Sequence, residues 1–148
     1  MQSLIRGLCI LVLFSFAERL MAQTTLQVVE KKIEMSLPWK TGQEVNIKGE
    51  RAEVLVEAWD KEEISVSFVF KSKHTSKKTA EQDLDFLKYV AEEQGSRIFL
   101  RNYIDVPNDE AKPTSDLSAQ ILIRLPEDCP VNLANHIGQA NIKDLRNS

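Results

Sequence analysis

A chain of 148 residues with a formal net charge of −3 is sized for one domain. Hydrophobic residues make up 43% and charged residues 28%, ordinary for a globular protein. The charge is too weak and of the wrong sign for a nucleic-acid footprint, and no run of like charges has the look of a binding tail.

The N-terminus carries the most specific local signal. Arg6 gives a positive charge, Leu8 to Ala17 is an apolar run of 10 residues, and Ala22 offers a small residue before Gln23. This is the layout of a secretory signal peptide over residues 1–22, leaving 23–148 as the mature domain. The apolar run is shorter than the roughly 20 residues that span a bilayer, so no transmembrane segment is expected once the leader is removed. Export to the periplasm, the outer membrane or the cell surface follows. Cys9 lies in the leader, so Cys129 is alone in the mature chain and no internal disulfide is expected. Between Asp128 and Pro130 it reads as a small turn residue rather than a reactive thiol.

From Thr24 the chain alternates. Ile33, Met35 and Leu37 share one face until Pro38 ends the strand. After a turn holding Gly42, Val45 and Ile47 form a short strand. Gly49 to Ala52 turn the chain, and Val54 and Val56 resume the buried face. Asp60 to Glu63 turn it again. Ile64, Val66, Phe68 and Phe70 then give the clearest strand. Lys71 to Thr79 reads as a solvated basic connection.

From Ala80 the period moves toward 3.6: Ala80, Leu84, Leu87, Val90 and Ala91 form one stripe, with Gly95 as a stop. Thr79 with Gln82 resembles a capping box. One amphipathic helix, Thr79 to Gln94, is predicted to cover a face or edge of the sheet. Arg97 to Val106 is a strand with apolar residues on both faces. Pro107 to Leu117 is a loop whose Asp109, Glu110 and Asp116 fit no calcium spacing, and Lys112 opposes a cation there. Ala119 to Leu125 alternates again.

Two stretches align as strand-turn-strand rungs: Val45 to Trp59 and Val131 to Leu145. Val45 matches Val131, Asn46 matches Asn132, Ile47 matches Leu133, Val56 matches Ile142 and Trp59 matches Leu145. Such a rung buries only half its strand faces and needs neighbours to stack on. If Gln139 to Leu145 is a strand, its outer edge has no later strand to pair with, which invites another strand. Either the strand at Thr24 closes the sheet, or the chain is a shortened form of a longer solenoid.

Four segments carry a resemblance: Ala58 to Ser67 (AWDKEEISVS), the connecting helix, Ile121 to Asn135 (ILIRLPEDCPVNLAN) and Asn135 to Ile142 (NHIGQANI). They resemble the bacterial adhesin-like β-solenoid family that contains auto-transporter adhesin head domains, and cover only the opening of its usual solenoid. The resemblance implies a mainly β fold begun from stacked rungs, with no catalytic residues to carry over. Its adhesin label is itself an association with a fold.

No residue set points to catalysis, a cofactor or a metal. His74 and His136 have no partner at ligand spacing. Cys129 and His136 stand seven apart across a turn and strand, a poor nucleophile and base. Glu53 and Glu57 alternate outward as solubilising residues rather than an acid–base pair. The expected function is an exported, non-catalytic binding or scaffold module. Asn46, Asn132, Asn135 and Asn141 are its candidate surface. A cell-surface glycan or protein, or self-association through an exposed strand edge, would be the partner. A carbohydrate-active β-helix enzyme and an inert fragment of a longer solenoid are the alternatives.

Overall fold

A computed structural model describes residues 24–109 and 111–146. The expected leader, residues 1–22, lies outside them. The strands are β1 (Gln27–Pro38), β2 (Glu44–Glu50), β3 (Ala52–Trp59), β4 (Glu63–His74), β5 (Leu87–Gln94), β6 (Arg97–Ile104), β7 (Asp116–Pro126), β8 (Val131–His136) and β9 (Ala140–Lys143), with one helix, α1 (Lys77–Leu84). The fold is mainly β, in two sheets ordered β1-β4-β7-β3-β9 and β5-β6-β2-β8.

The connections make each layer an arch, one arm in each sheet. β2 runs to a bend at Arg51 and returns as β3 in the other sheet. β8 and β9 form a second arch stacked parallel on the first. Its register follows the sequence alignment: Val45 faces Val131, Asn46 faces Asn132, Ile47 faces Leu133, and Val56 faces Ile142. β6 and β7 flank β2 and β3 on the other side, also parallel. β4 and β5 form an antiparallel layer beyond them, joined through α1. β1 closes one sheet against β4 and lies at the edge opposite β9, so the strand at Thr24 does not cover the final rung. Among the described residues the stack is therefore of mixed direction. It is not the run of sequential parallel rungs that the adhesin-like resemblance implies.

Alternating inward residues from both sheets form one core, including Val45, Ile47, Val56, Ile64, Phe68, Ile98, Leu100, Ile121 and Ile123. The bends continue the backbone ladder between layers. The Arg51 N–H donates to the His136 carbonyl at 2.8 Å, and the Ala52 N–H to that of Ile137 at 3.1 Å. Arg51 and Ile137, stacked at equivalent places, both take left-handed backbone (φ 49° and 62°). For the β-branched Ile137 that conformation costs about 1–2 kcal/mol. Asn102, 2% exposed, ties the first bend: it accepts from the Glu50 N–H at 2.9 Å and donates to the Glu50 carbonyl at 2.7 Å. A buried amide fully paired in this way replaces a missing strand neighbour at a point where the ladder would leave orphans.

The predicted helix needs correction. Only Lys77–Leu84 is helical, and its cap is Ser76, whose hydroxyl accepts from the Thr79 N–H at 3.3 Å. Leu87–Gln94 is a strand, antiparallel to β6. Leu87, Val90 and Ala91 satisfy a helical stripe by spacing, but pairing with β6 and the Tyr89 ring decide the outcome. Tyr89 lies 5.2 Å from the Phe68 centroid, a contact that a strand at this place supplies. Gly95, φ 61°, turns a tight hairpin into β6 instead of stopping a helix.

Candidate binding cleft

The arches bring several turns to one end of the stack. There lie the connection after β1, the end of β3, the end of β7 and the stretch after β9. They enclose an open cleft of about 640 Å³ lined by Trp39, Thr41, Ala58, Trp59, Asp60, Lys61, Glu62, Pro126, Glu127, Asp128 and Asp144. The chain's two tryptophans both line it, each half-buried.

Both indoles are fixed by their own turns. Trp59 Nε1–H donates to the Glu63 carbonyl at 2.8 Å, and Trp39 Nε1–H to the Gln43 carbonyl at 3.2 Å. Gln43, 5% exposed, anchors the second turn. Its amide nitrogen donates to Glu93 Oε1 at 2.6 Å, and its side-chain oxygen accepts from the Lys40 N–H at 2.9 Å. With their N–H groups satisfied, the rings are held in place, Trp39 packed in part against the core, and both line the cleft. Arg146 pairs with Glu127 at 2.8 Å and approaches Asp128 at 3.9 Å. No described residue forms an ion pair or side-chain hydrogen bond with Asp60, Glu62 or Asp144. Lys61 places its ammonium 4.8 Å from the Trp59 ring centroid.

Cys129 lies wholly buried beside Trp39 and Val45. Burial pushes its thiol up to about 11, against hydrogen bonding at Trp39 and Val45 that pulls it down. The unfolded thiol releases its proton near pH 9 and the folded one near 11. The folded state therefore holds the extra proton between these values, and stability falls as pH rises through that window. The stability difference between the protein and Cys129→Ala should narrow between pH 8 and pH 10.5 in urea unfolding. Alkylation of Cys129 at pH 8 should proceed only as fast as unfolding.

The four asparagines do not form one surface. Asn46 and Asn132 are neighbours across β2 and β8, on the outer face of one sheet. They share a shallow pocket of about 260 Å³ with Lys48, Phe99 and Arg101. Asn141 faces outward on the other sheet, in a groove of about 530 Å³ with Leu55, Val69 and Leu122. Asn135 turns into the bend and donates to the Ala52 carbonyl at 2.9 Å and that of Gln139 at 3.2 Å, a structural role. Glu53 accepts from Gln120 at 3.1 Å, and Glu57 pairs with Arg124 at 3.4 Å, so each is engaged across to β7. Cys129 lies just before β8 and His136 is its last residue, so the strand's length separates them. Among the described residues no three His, Cys, Asp or Glu side chains are placed to share a metal ion.

The tryptophan cleft escapes the sequence reading because Trp39 and Trp59 stand in separate turns. The signal in the sequence is that each stands at a strand end and opens a polar turn, Trp39-Lys-Thr-Gly and Trp59-Asp-Lys-Glu.

No family profile and no curated protein matches the chain. Among the solved structures similar to it are the following two. One, from Clostridium sporogenes, is described as a "putative cell adhesion protein". It has a TM-score of 0.42 and 8% identity, over 70% of this chain and 45% of its own. The other, from Parabacteroides distasonis, is described as a "putative lipid binding protein". It has a TM-score of 0.36 and 16% identity, over 72% of this chain and 39% of its own. The chain thus matches less than half the length of either. At TM-scores below 0.5 the two carry no weight for fold or function. No helix among the described residues is long and apolar enough to cross a membrane.

Proposed function

We propose that this protein is an exported, non-catalytic binding module of the cell envelope, and that the Trp39–Trp59 cleft takes a cell-surface glycan. One observation carries the reading: two indoles, each with its N–H satisfied by its own turn, line a single open cleft whose carboxylates include Asp60, Glu62 and Asp144, none of them ion-paired to a described residue. The electron-rich face of an indole accepts the C–H face of a pyranose ring, and carboxylate oxygens accept from its hydroxyls. The leader-like N-terminus supports export, and the adhesin-like β-solenoid resemblance of residues 24–145 supports a place at the surface.

A glycan array probed with the protein, followed by calorimetric titration of the ligands found, tests this. Trp59→Ala and Trp39→Ala should each weaken binding by about 2 kcal/mol, roughly thirtyfold, as anchor residues do at recognition sites. Asn46→Ala with Asn132→Ala, on the far face, should leave it unchanged. Binding lost with the asparagine pair and kept in both tryptophan variants would move the site to the outer face of the other sheet.

A further inference from the structure

We propose that the ligand of the tryptophan cleft carries a free ammonium group, as an amino sugar does, and that Lys61 occupies the ammonium's place in the unliganded protein. This rests on the reading of the cleft as the glycan site. The Lys61 ammonium already sits 4.8 Å from the centroid of the Trp59 ring, within the range of a cation–π contact. No described residue forms an ion pair with it, so the ring face is its one charged-group contact. Asp60 and Glu62 flank Lys61 in sequence and, with Asp144, line the same cleft without ion-pair partners. A neutral ligand can hydrogen-bond to these three carboxylates but leaves their charge uncompensated beside the aromatic face. A cationic ligand uses both at once.

The contact is exposed and intramolecular, which makes it displaceable. Lys61 is on a flexible four-carbon stem in a turn and can swing into solvent, where its charge is fully hydrated. An incoming ammonium then inherits the Trp59 face and the carboxylates, while the part of Trp39 that lines the cleft meets the sugar ring. Lys61 thus acts as a built-in competitor that discriminates against neutral glycans, which must displace it without replacing its charge.

Calorimetric titration with a glucosamine oligosaccharide, its fully N-acetylated counterpart and a lysine-rich peptide tests the proposal. The amine-bearing oligosaccharide should bind at least tenfold tighter than the N-acetylated one. Its affinity should fall severalfold as salt rises from low to high, since partly exposed charges are screened. Lys61→Ala should tighten binding of the amine oligosaccharide by roughly threefold, the worth of an exposed cation–π contact. Trp59→Phe, which keeps an aromatic face and folds with less disturbance than Trp59→Ala, should weaken it. Equal binding of the two oligosaccharides, still dependent on Trp59, would overturn the ammonium assignment and leave the glycan site standing. Weaker amine binding in Lys61→Ala would also overturn it. Binding of the peptide in preference to both sugars would overturn the amino-sugar assignment. No sugar binding at all would instead remove the reading on which it rests.

Discussion

Substituting Gly138 with alanine is expected to release β9 from β3 at a cost of about 3–5 kcal/mol, while β8 and the rest of the stack stay folded. Gly138 has φ 136°, a conformation that side chains other than hydrogen rarely adopt, which alone costs on the order of 1–3 kcal/mol. An added Cβ would also overlap the backbone carbonyl of Ala52, and backbone cannot swing aside as a side chain can. The clash falls where the second arch is hydrogen-bonded to the first. Relieving it breaks the bonds from Ala52 N–H to the Ile137 carbonyl and from Val54 N–H to the Gln139 carbonyl (3.1 and 2.9 Å). Each is worth about 0.5–1.5 kcal/mol. The β9 residues are all exposed and lie outside the core cluster, so their loss does not open the core. Hydrogen exchange is the discriminating measurement. Amides of β9 and of the facing edge of β3 should lose protection in Gly138→Ala, while those of β4 and β7 keep theirs. Uniform loss across the chain would mean that the final arch is integral to the core. No change would mean that the bend does not approach Ala52 as described.

The same bend shows what sequence can and cannot reveal. The alignment of Val45 to Trp59 with Val131 to Leu145 is legible because stacked parallel strands place like residues on like. The observed pairs Val45–Val131 and Val56–Ile142 are those the alignment names. Strand positions with strict alternation, Ile64 to Phe70 above all, are likewise readable, since period two leaves them one buried face. Leu87 to Gln94 is not readable in that way. Its apolar residues fit both periods, and the choice is made by β6, whose pairing cannot be seen locally. Asn102 presents the opposite difficulty: a polar residue in an inward position reads as a break in the pattern, yet it replaces backbone partners at the Glu50 bend. The four asparagines share only a residue type, and the arches send them to two outer faces and one bend. The cleft is invisible for a related reason. Its tryptophans and carboxylates come from turns separated by up to a hundred residues, and only the return of each arch to the same end gathers them.

Substituting Phe68 with alanine should produce the largest uniform loss of stability, about 3–5 kcal/mol. Phe68 is fully buried on β4, the second strand of the five-stranded sheet, with Ile33 of β1 on one side and Ile121 of β7 on the other. Its ring also reaches across to Tyr89 of the second sheet, 5.2 Å away, and lies 6.1 Å from Phe70 on its own strand. Truncation removes apolar burial and leaves a void that paired strands on both sides cannot close, because their spacing is fixed by the ladder. In urea the midpoint should fall with the slope unchanged, the signature of lost stability without a changed unfolded state. Phe68→Leu, which refills most of the volume, should lose less than half as much. The effect should also reach the cleft. β4 begins at Glu63, whose carbonyl holds the Trp59 indole, so a strand that loosens at Phe68 loosens the ring that binds the ligand. Glycan affinity in Phe68→Ala should then drop at temperatures where the protein is still folded, and Phe68→Leu should largely restore it. Unchanged affinity in a folded Phe68→Ala protein would show that the Trp59 turn is held by its own hydrogen bond alone, with the core contributing nothing to its position.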